Sequence, residues 1–238
     1  IGNLKPLEKA ILQEILEEYV DIFAANPKSV PACEGAPMRL ELKDPNENPY
    51  VAPMRHHSPE QRGMIQVEVV KLRGSGAIEE ATSALAANCS TVRKNDGTVR
   101  VVQDFRGLNS HLKSQSGGLG DLAHIFDEMG KMSCFSSCDL ASGFLQLEIH
   151  VDGRHLTAFR DADGKLWQYV RCRFGLKTVP SAFANYMGGR FMPVKCQGIK
   201  NWLDVIAIPS RTVAGHWPLL RATFQCLREG KLMVNLHK

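Results

Sequence analysis

Two acids lie where acids are uncommon. Asp139 closes an apolar stretch in Cys138-Asp139-Leu140-Ala141-Ser142-Gly143-Phe144, and Asp204 lies inside another in Trp202-Leu203-Asp204-Val205-Ile206. A carboxylate in an apolar strand is costly unless something pairs with it. Two such acids side by side would hold Mg²⁺, a hard cation that takes oxygen ligands together with the phosphates of a substrate. Two such ions about 4 Å apart can stabilise the attacking and leaving oxygens of phosphoryl transfer. Plain turn chemistry accounts for the same residues, with Asp139 capping a turn at Leu140-Ala141-Ser142 and Asp204 a hairpin-turn residue. On spacing alone the turn reading is the stronger.

Basic residues form a second group. Arg93, Lys94, Arg100 and Arg106 cluster around Asp96-Gly97. On alternating strand positions they could face a triphosphate or a nucleic-acid backbone; a charged, solvated hairpin edge fits equally well. Phe174-Gly175-Leu176-Lys177-Thr178-Val179-Pro180 is a Gly-bearing turn entering a helix, whose N-terminus could face phosphate. It is equally a simple loop.

The elements that would position these residues are readable from periodicity. Leu7, Ile11, Ile15, Tyr19 and Phe23 recur every four residues and predict an amphipathic helix, followed by an extended connector from Asn26 to Pro53. Ser58-Pro59-Glu60-Gln61 has the capping-box pattern and opens a helix that Gly74 and Gly76 stop near Arg73. Ser90–Arg93 and Val99–Gln103 flank Asn95-Asp96-Gly97 and predict a hairpin. Beyond it come a helix over Asp121–Met129 and a strand over Cys134–Cys138. Strands are expected at Phe144–His150, Leu156–Arg160 and Leu166–Arg171, with turns at Asp152-Gly153 and Asp163-Gly164. The pattern then predicts a helix over Pro180–Phe191, an apolar hairpin over Ile199–Ile208, a helix over Val213–Arg228 and a last strand over Leu232–Asn235. Strands and helices without strict alternation indicate an α+β fold.

Composition narrows the class. With 44% hydrophobic and 23% charged residues the chain is an ordinary globular one, and its net charge of +4 permits nucleic-acid binding without arguing for it. No run of about 18 apolar residues indicates a transmembrane helix. The start, Ile1-Gly2-Asn3-Leu4-Lys5, is neither a signal peptide nor an initiator Met, which suggests a segment of a longer product. Seven Cys without a C-x-x-C pair read as buried thiols in a reducing compartment.

Five motifs in order resemble those of Ty3/gypsy retrotransposon reverse transcriptases. The stretch Thr91 to Asn109, with Arg93-Lys94, Asp96-Gly97, Arg100 and Asp104-Phe105-Arg106, resembles V-R-K-x-D-G-x-x-R-x-x-x-D-[YF]-R-x-L-N. Phe135 to Phe144 resembles F-S-x-L-D-L-x-S-G-[YF], and Leu156-Thr157-Ala158-Phe159 resembles K-T-A-F. Phe174 to Phe183 resembles F-G-L-x-N-A-P-x-x-F, and Trp202-Leu203-Asp204-Val205 lies where the family has [YW]-x-D-D. The likeness runs from about Lys5 to Lys238.

The resemblance implies an RNA-directed DNA polymerase domain with a polymerase-type fingers and palm and a small antiparallel palm sheet backed by helices. Residues 1–50 would form the N-terminal helix and connector, 51–135 the fingers, and 136–238 the palm, with fingers strands interleaved near 155–175. Asp139 and Asp204 would bind the catalytic Mg²⁺ ions. Lys94 and Arg100 would hold the incoming triphosphate, Phe144 would exclude a 2′-hydroxyl, and Phe174 and Gly175 would lie beside nucleotide and template. The implied partners are an RNA or DNA template-primer, dNTPs and the remainder of a Pol polyprotein (protease, RNase H and integrase), in the cytoplasm or in virus-like particles, with no membrane. No thumb, connection or RNase H is expected before Lys238.

The departures carry equal weight. Val205 replaces the second acid of the pair, so the two-metal site is expected to be impaired and the chain weakened or inactive. The alternative is a non-catalytic nucleic-acid-binding remnant or domesticated copy. Arg173 replaces a common Pro, Thr178 a common Asn, and Gly117-Gly118-Leu119-Gly120 replaces an aromatic and proline segment.

Overall fold

A computed structural model describes residues 4–27, 29–46, 51–93, 95, 97–115, 122–195 and 198–236. The expected Gly117–Gly120 segment lies outside them. In chain order the elements are α1 (Pro6–Glu18), β1 (Phe23–Ala24), α2 (Pro59–Gly74), β2 (Ile78–Glu80), β3 (Ala87–Arg93), β4 (Val99–Gln103), α3 (Arg106–His111), α4 (Leu122–Met129) and β5 (Cys134–Asp139). They continue with α5 (Val151–Arg154), β6 (Phe159–Arg160), β7 (Leu166–Tyr169), α6 (Val179–Arg190), α7 (Met192–Lys195), β8 (Lys200–Trp202), β9 (Val205–Ser210), α8 (Val213–Glu229) and β10 (Val234–Asn235). The fold is α+β. Two compact units divide it: Ile1–Gly35 with Gly117–Gln146 and Pro180–Lys238, and Ala36–Ser116 with Leu147–Val179.

The first unit is built on a three-stranded antiparallel sheet in the order β5-β9-β8. Its register runs from Cys134 opposite Ser210 to Asp139 opposite Val205. The helix α8 backs this sheet through a buried histidine. Ser210 Oγ donates to Thr212 O at 3.0 Å, so His216 Nδ1 donates to Ser210 Oγ (2.9 Å) and Nε2 accepts from Ser136 Oγ (2.8 Å). Burial lowers the His216 pKa and keeps this arrangement neutral. Tyr19 and Phe23 meet Phe224 of α8 edge-on, at 5.6 and 5.8 Å between ring centroids.

The second unit holds a five-stranded sheet in the order β2-β7-β6-β3-β4, antiparallel except for the β3–β6 pair. Tyr169 is the centre of its core. The ring packs on Phe159 and Phe105, its hydroxyl donates to Gln103 Oε1 at 2.8 Å, and its N–H donates to Thr157 Oγ1 at 2.8 Å. The Ser58 capping box forms as the sequence requires, with Ser58 Oγ accepting from Gln61 N and Gln61 Oε1 from Ser58 N.

Four segments differ from the sequence expectation. Helix α1 ends at Glu18, Val20–Ile22 forms a 3-10 turn and Phe23 joins a strand. Phe144–His150 is not a strand: Gly143–Gln146 is a 3-10 turn, with Leu145 N bonded to Ser142 O, and only isolated bridges follow at Glu148 and Ile149. In Leu156–Arg160 the strand is reduced to Phe159–Arg160, because His155–Thr157 coils with Thr157 Oγ1 donating to Arg154 O. Asp152-Gly153 lies inside the one-turn helix α5, whose cap is the His150 ring accepting from Asp152 N. The elements β2 and α3 had no sequence signal.

Candidate active site

Strand pairing brings the two acidic segments together. Asp139 ends β5 directly opposite Val205, and Leu140 N donates to the main-chain oxygen of Asp204 at 2.8 Å. Asp204 occupies the turn between β8 and β9, as the turn reading has it, and that turn sets it beside the end of β5. The preceding Leu203 has a φ of 50°, and Ser142, three residues beyond Asp139, has 48°. Non-glycine residues in the left-handed region are uncommon, and strained backbone tends to gather at functional sites. Two of the three such residues among those described flank these acids.

The donor set fits one hard cation. Two carboxylates completed by phosphate oxygens and water suffice for Mg²⁺. Val205, 40% exposed at the start of β9, has no side-chain oxygen to offer a cation. Among the described residues no group of three or more His, Cys, Asp and Glu is arranged to hold a metal ion. Cys138, next to Asp139, is a half-buried free thiol whose pKa desolvation pushes up to about 11.

Gly143 lies against Asp204, and Phe144 follows it. A Cβ on Gly143 would sit 2.9 Å from Asp204 Cβ, so only glycine fits there. Phe144 is buried, 4% exposed, with its ring edge-on to Phe183 at 5.2 Å.

The basic residues separate in the structure. Lys94 lies outside the described residues. Arg100 pairs with Val92 and Arg93 with Val99 across the β3–β4 hairpin, so the two arginines point to opposite faces of the ribbon. Arg106 is turned into a fork on Asp104, with Nε to Oδ1 at 2.8 Å and Nη2 to Oδ2 at 2.7 Å. Arg55 donates to Ser90 Oγ at 2.7 Å and lies 3.9 Å from the same carboxylate. Arg55, Asn88, Asp104 and Arg106 line an open cleft of about 450 Å³.

The Arg106 hydrogen bond holds the Asp104 pKa at about 2, below its ordinary 3.8. A depressed folded-state pKa contributes stability above the unfolded value that disappears as pH falls through the folded one. Asp104→Asn is therefore expected to cost at most about 1 kcal/mol at pH 7, since Arg106 is largely exposed. The gap between the two proteins should close between pH 4 and 2 in urea unfolding; a gap constant over that window would remove this pair from the acid response.

Phe174 is 64% exposed, and Gly175 has a φ of 102°, which requires glycine. Asn109 clamps this turn from both sides, Nδ2 donating to Gly175 O at 2.6 Å and Oδ1 accepting from Lys177 N at 2.9 Å. In the sequence Asn109 is part of a motif and carries no role of its own; its partners are 66 and 68 residues away. Thr178, where Asn is usual, is buried, and among the described residues its Oγ1 has no hydrogen-bond partner.

Residues 92–238 match the family described as reverse transcriptase (RNA-dependent DNA polymerase). The chain is 31% identical over 192 residues to the retrovirus-related Pol polyprotein from transposon 412 of Drosophila melanogaster, covering 78% of this chain and 15% of that protein. It is 26% identical over 232 residues to the transposon Tf2-3 polyprotein of Schizosaccharomyces pombe, covering 95% of this chain and 17% of that one. It therefore spans less than a fifth of these two relatives. Among solved structures, the foamy viral protease-reverse transcriptase in complex with RNA/DNA hybrid superposes with a TM-score of 0.88 at 23% identity, over 99% of this chain and 31% of that chain. A double-stranded DNA complex of the dRH form superposes at 0.83 and 24% identity, over 100% and 42%.

Proposed function

The chain belongs to the reverse transcriptase (RNA-dependent DNA polymerase) family, and from that premise we propose that it is the fingers-and-palm portion of a retrotransposon RNA-directed DNA polymerase with an impaired metal site. The observation that carries this reading is the pairing of Asp139 and the Asp204 turn across β5 and β9, with Val205 in place of a further acid. Asp139 and Asp204 would hold a divalent ion, which would polarise the primer 3′-hydroxyl and neutralise charge on the α-phosphate. Lys94 and Arg100 would bind the triphosphate of a dNTP. Phe144, backed by Phe183, would set the floor under the sugar, and Phe174 with the Gly175 turn held by Asn109 would bound the nucleotide and template. The template-primer would be RNA or DNA, and the wider partners the protease, RNase H and integrase of a Pol polyprotein, in the cytoplasm or in virus-like particles. Among the described residues no helix is long and apolar enough to cross a membrane.

Primer extension with dNTPs and Mg²⁺ on an RNA template, run on this chain and on Val205→Asp, tests the proposal. Extension by the variant alone supports a polymerase disabled at one ligand. Equal extension by both overturns the impairment. If neither extends, the non-catalytic nucleic-acid-binding reading takes over and predicts RNA affinity that falls steeply with salt.

A further inference from the structure

Gln146 is fully buried, and its amide is bonded on both sides. Nε2 donates to Ala141 O at 2.7 Å and to Met233 O at 2.9 Å, and Oε1 accepts from Met233 N at 2.7 Å. Both donors and one acceptor site of the side chain are used, so the amide has only one workable orientation. Ala141 N adds a bond to Met233 O at 2.9 Å, and Leu140 bridges to Val234. The loop that leaves Asp139 is thereby tied to the chain at 233–234.

The same loop must accommodate Asp204. Leu140 N bonds the Asp204 main chain, Gly143 lies against the Asp204 side chain, and Ser142 takes a φ of 48° with its Oγ donating to Pro27 O at 2.6 Å. A left-handed serine persists only where its surroundings enforce it. Gln146 supplies three of the bonds that do so, from within the 3-10 turn that ends the loop.

We infer that Gln146 is a positioning residue, whose buried amide fixes the backbone between Asp139 and Gly143 and so sets the spacing of the two carboxylates for a divalent ion. Its place three residues after Gly143, in Ser142-Gly143-Phe144-Leu145-Gln146, gives no hint of this in sequence terms. The inference rests on the proposed metal role of Asp139 and Asp204. Gln146 touches neither carboxylate and acts one step beyond the hydrogen-bonded partners of metal ligands, whose loss costs about 10- to 100-fold in affinity, so the lower end of that range is expected.

The test is titration of the full chain with Mn²⁺ alone, followed by the electron paramagnetic resonance of the free ion, at a temperature well below the Tm of each variant that folds. The variants are Asp139→Asn, Gln146→Met, Gln146→Glu and Phe224→Leu, the last a core change between α8, Tyr19 and Phe23. Asp139→Asn is expected to lose the site; unchanged binding there overturns the metal reading itself. With that loss established, Gln146→Met should weaken Mn²⁺ about tenfold, while Phe224→Leu, at a comparable loss of Tm, binds as the parent does. Gln146→Glu keeps the volume and the acceptor for Met233 N–H and serves if the Met variant does not fold. Parental affinity in a folded Gln146 variant overturns the inference. So does equal weakening by Phe224→Leu, or failure of both Gln146 variants to fold, since either assigns the residue to stability alone.

Discussion

Val205→Asp is expected to raise the rate of Mg²⁺-dependent primer extension by about two to three orders of magnitude. The estimate follows from the usual cost of removing one preorganised electrostatic group from a transition state, about 10²–10³ in rate. Position 205 can accept the change. It opens β9, is 40% exposed, and faces Asp139 and Trp202 across the two strand pairs. A carboxylate there reaches solvent and would add a third oxygen beside the two proposed for the ion, those of Asp139 and Asp204.

The same substitution carries a thermodynamic signature independent of turnover. Without metal, a new carboxylate directly opposite Asp139 and next to Asp204 is repulsive. Like charges opposed across a strand pair are destabilising, and two unit charges about 4 Å apart interact by roughly 4 kcal/mol at an effective dielectric of 20. The variant should therefore melt below the parent in chelator and recover in millimolar Mg²⁺, with a metal-induced rise in Tm larger than the parent's. A variant that gains neither extension nor Mg²⁺-dependent stability would place position 205 outside any metal site.

What the sequence disclosed and what it hid have distinct physical causes. The Ser58–Gln61 box, the Gly97 and Gly164 turns and the long α8 rest on local rules, and they stand where the pattern puts them. Asp139 and Asp204 were visible as acids in apolar surroundings. The path of the chain between Phe144 and His150 was not, because the alternation of Phe144, Leu145, Gln146 and Leu147 imitates a strand. It coils because Gln146 answers Met233, 87 residues away, and no local propensity encodes that bond. Arg106 likewise read as one of a basic group, but its guanidinium is committed to Asp104 two residues before it. Asn109 is part of a recognisable motif, yet its work is done on Gly175 and Lys177, which only the fold brings near.

Gly143→Ala, made in the Val205→Asp background, is expected to reduce primer extension about 100-fold. The new methyl would sit 2.9 Å from Asp204 Cβ, with Phe183 Cζ at 3.5 Å and Leu140 Cβ at 3.6 Å. Asp204 Cβ cannot swing aside as the tip of a long side chain would, since it is bonded to a backbone held by Leu140 and by the left-handed Leu203. The loop cannot retreat freely either, with Ser142 tied to Pro27 and Gln146 to Met233. Asp204 or the Gly143 loop must shift, and with Asp204 in the proposed metal site a misplacement of about 1 Å can cost 10²-fold in rate. Overpacking of this kind costs about 1–3 kcal/mol, a fall of several degrees in Tm for a chain of this size. Gly189→Ala is the matched control. It lies within α6 with nothing within 4 Å of the added methyl, so it should be neutral or stabilising by up to about 1 kcal/mol and leave extension unchanged. Extension at the undiminished rate by Gly143→Ala would mean that the Asp204 turn is free to move without consequence, and that its contact with Gly143 is packing without a catalytic role.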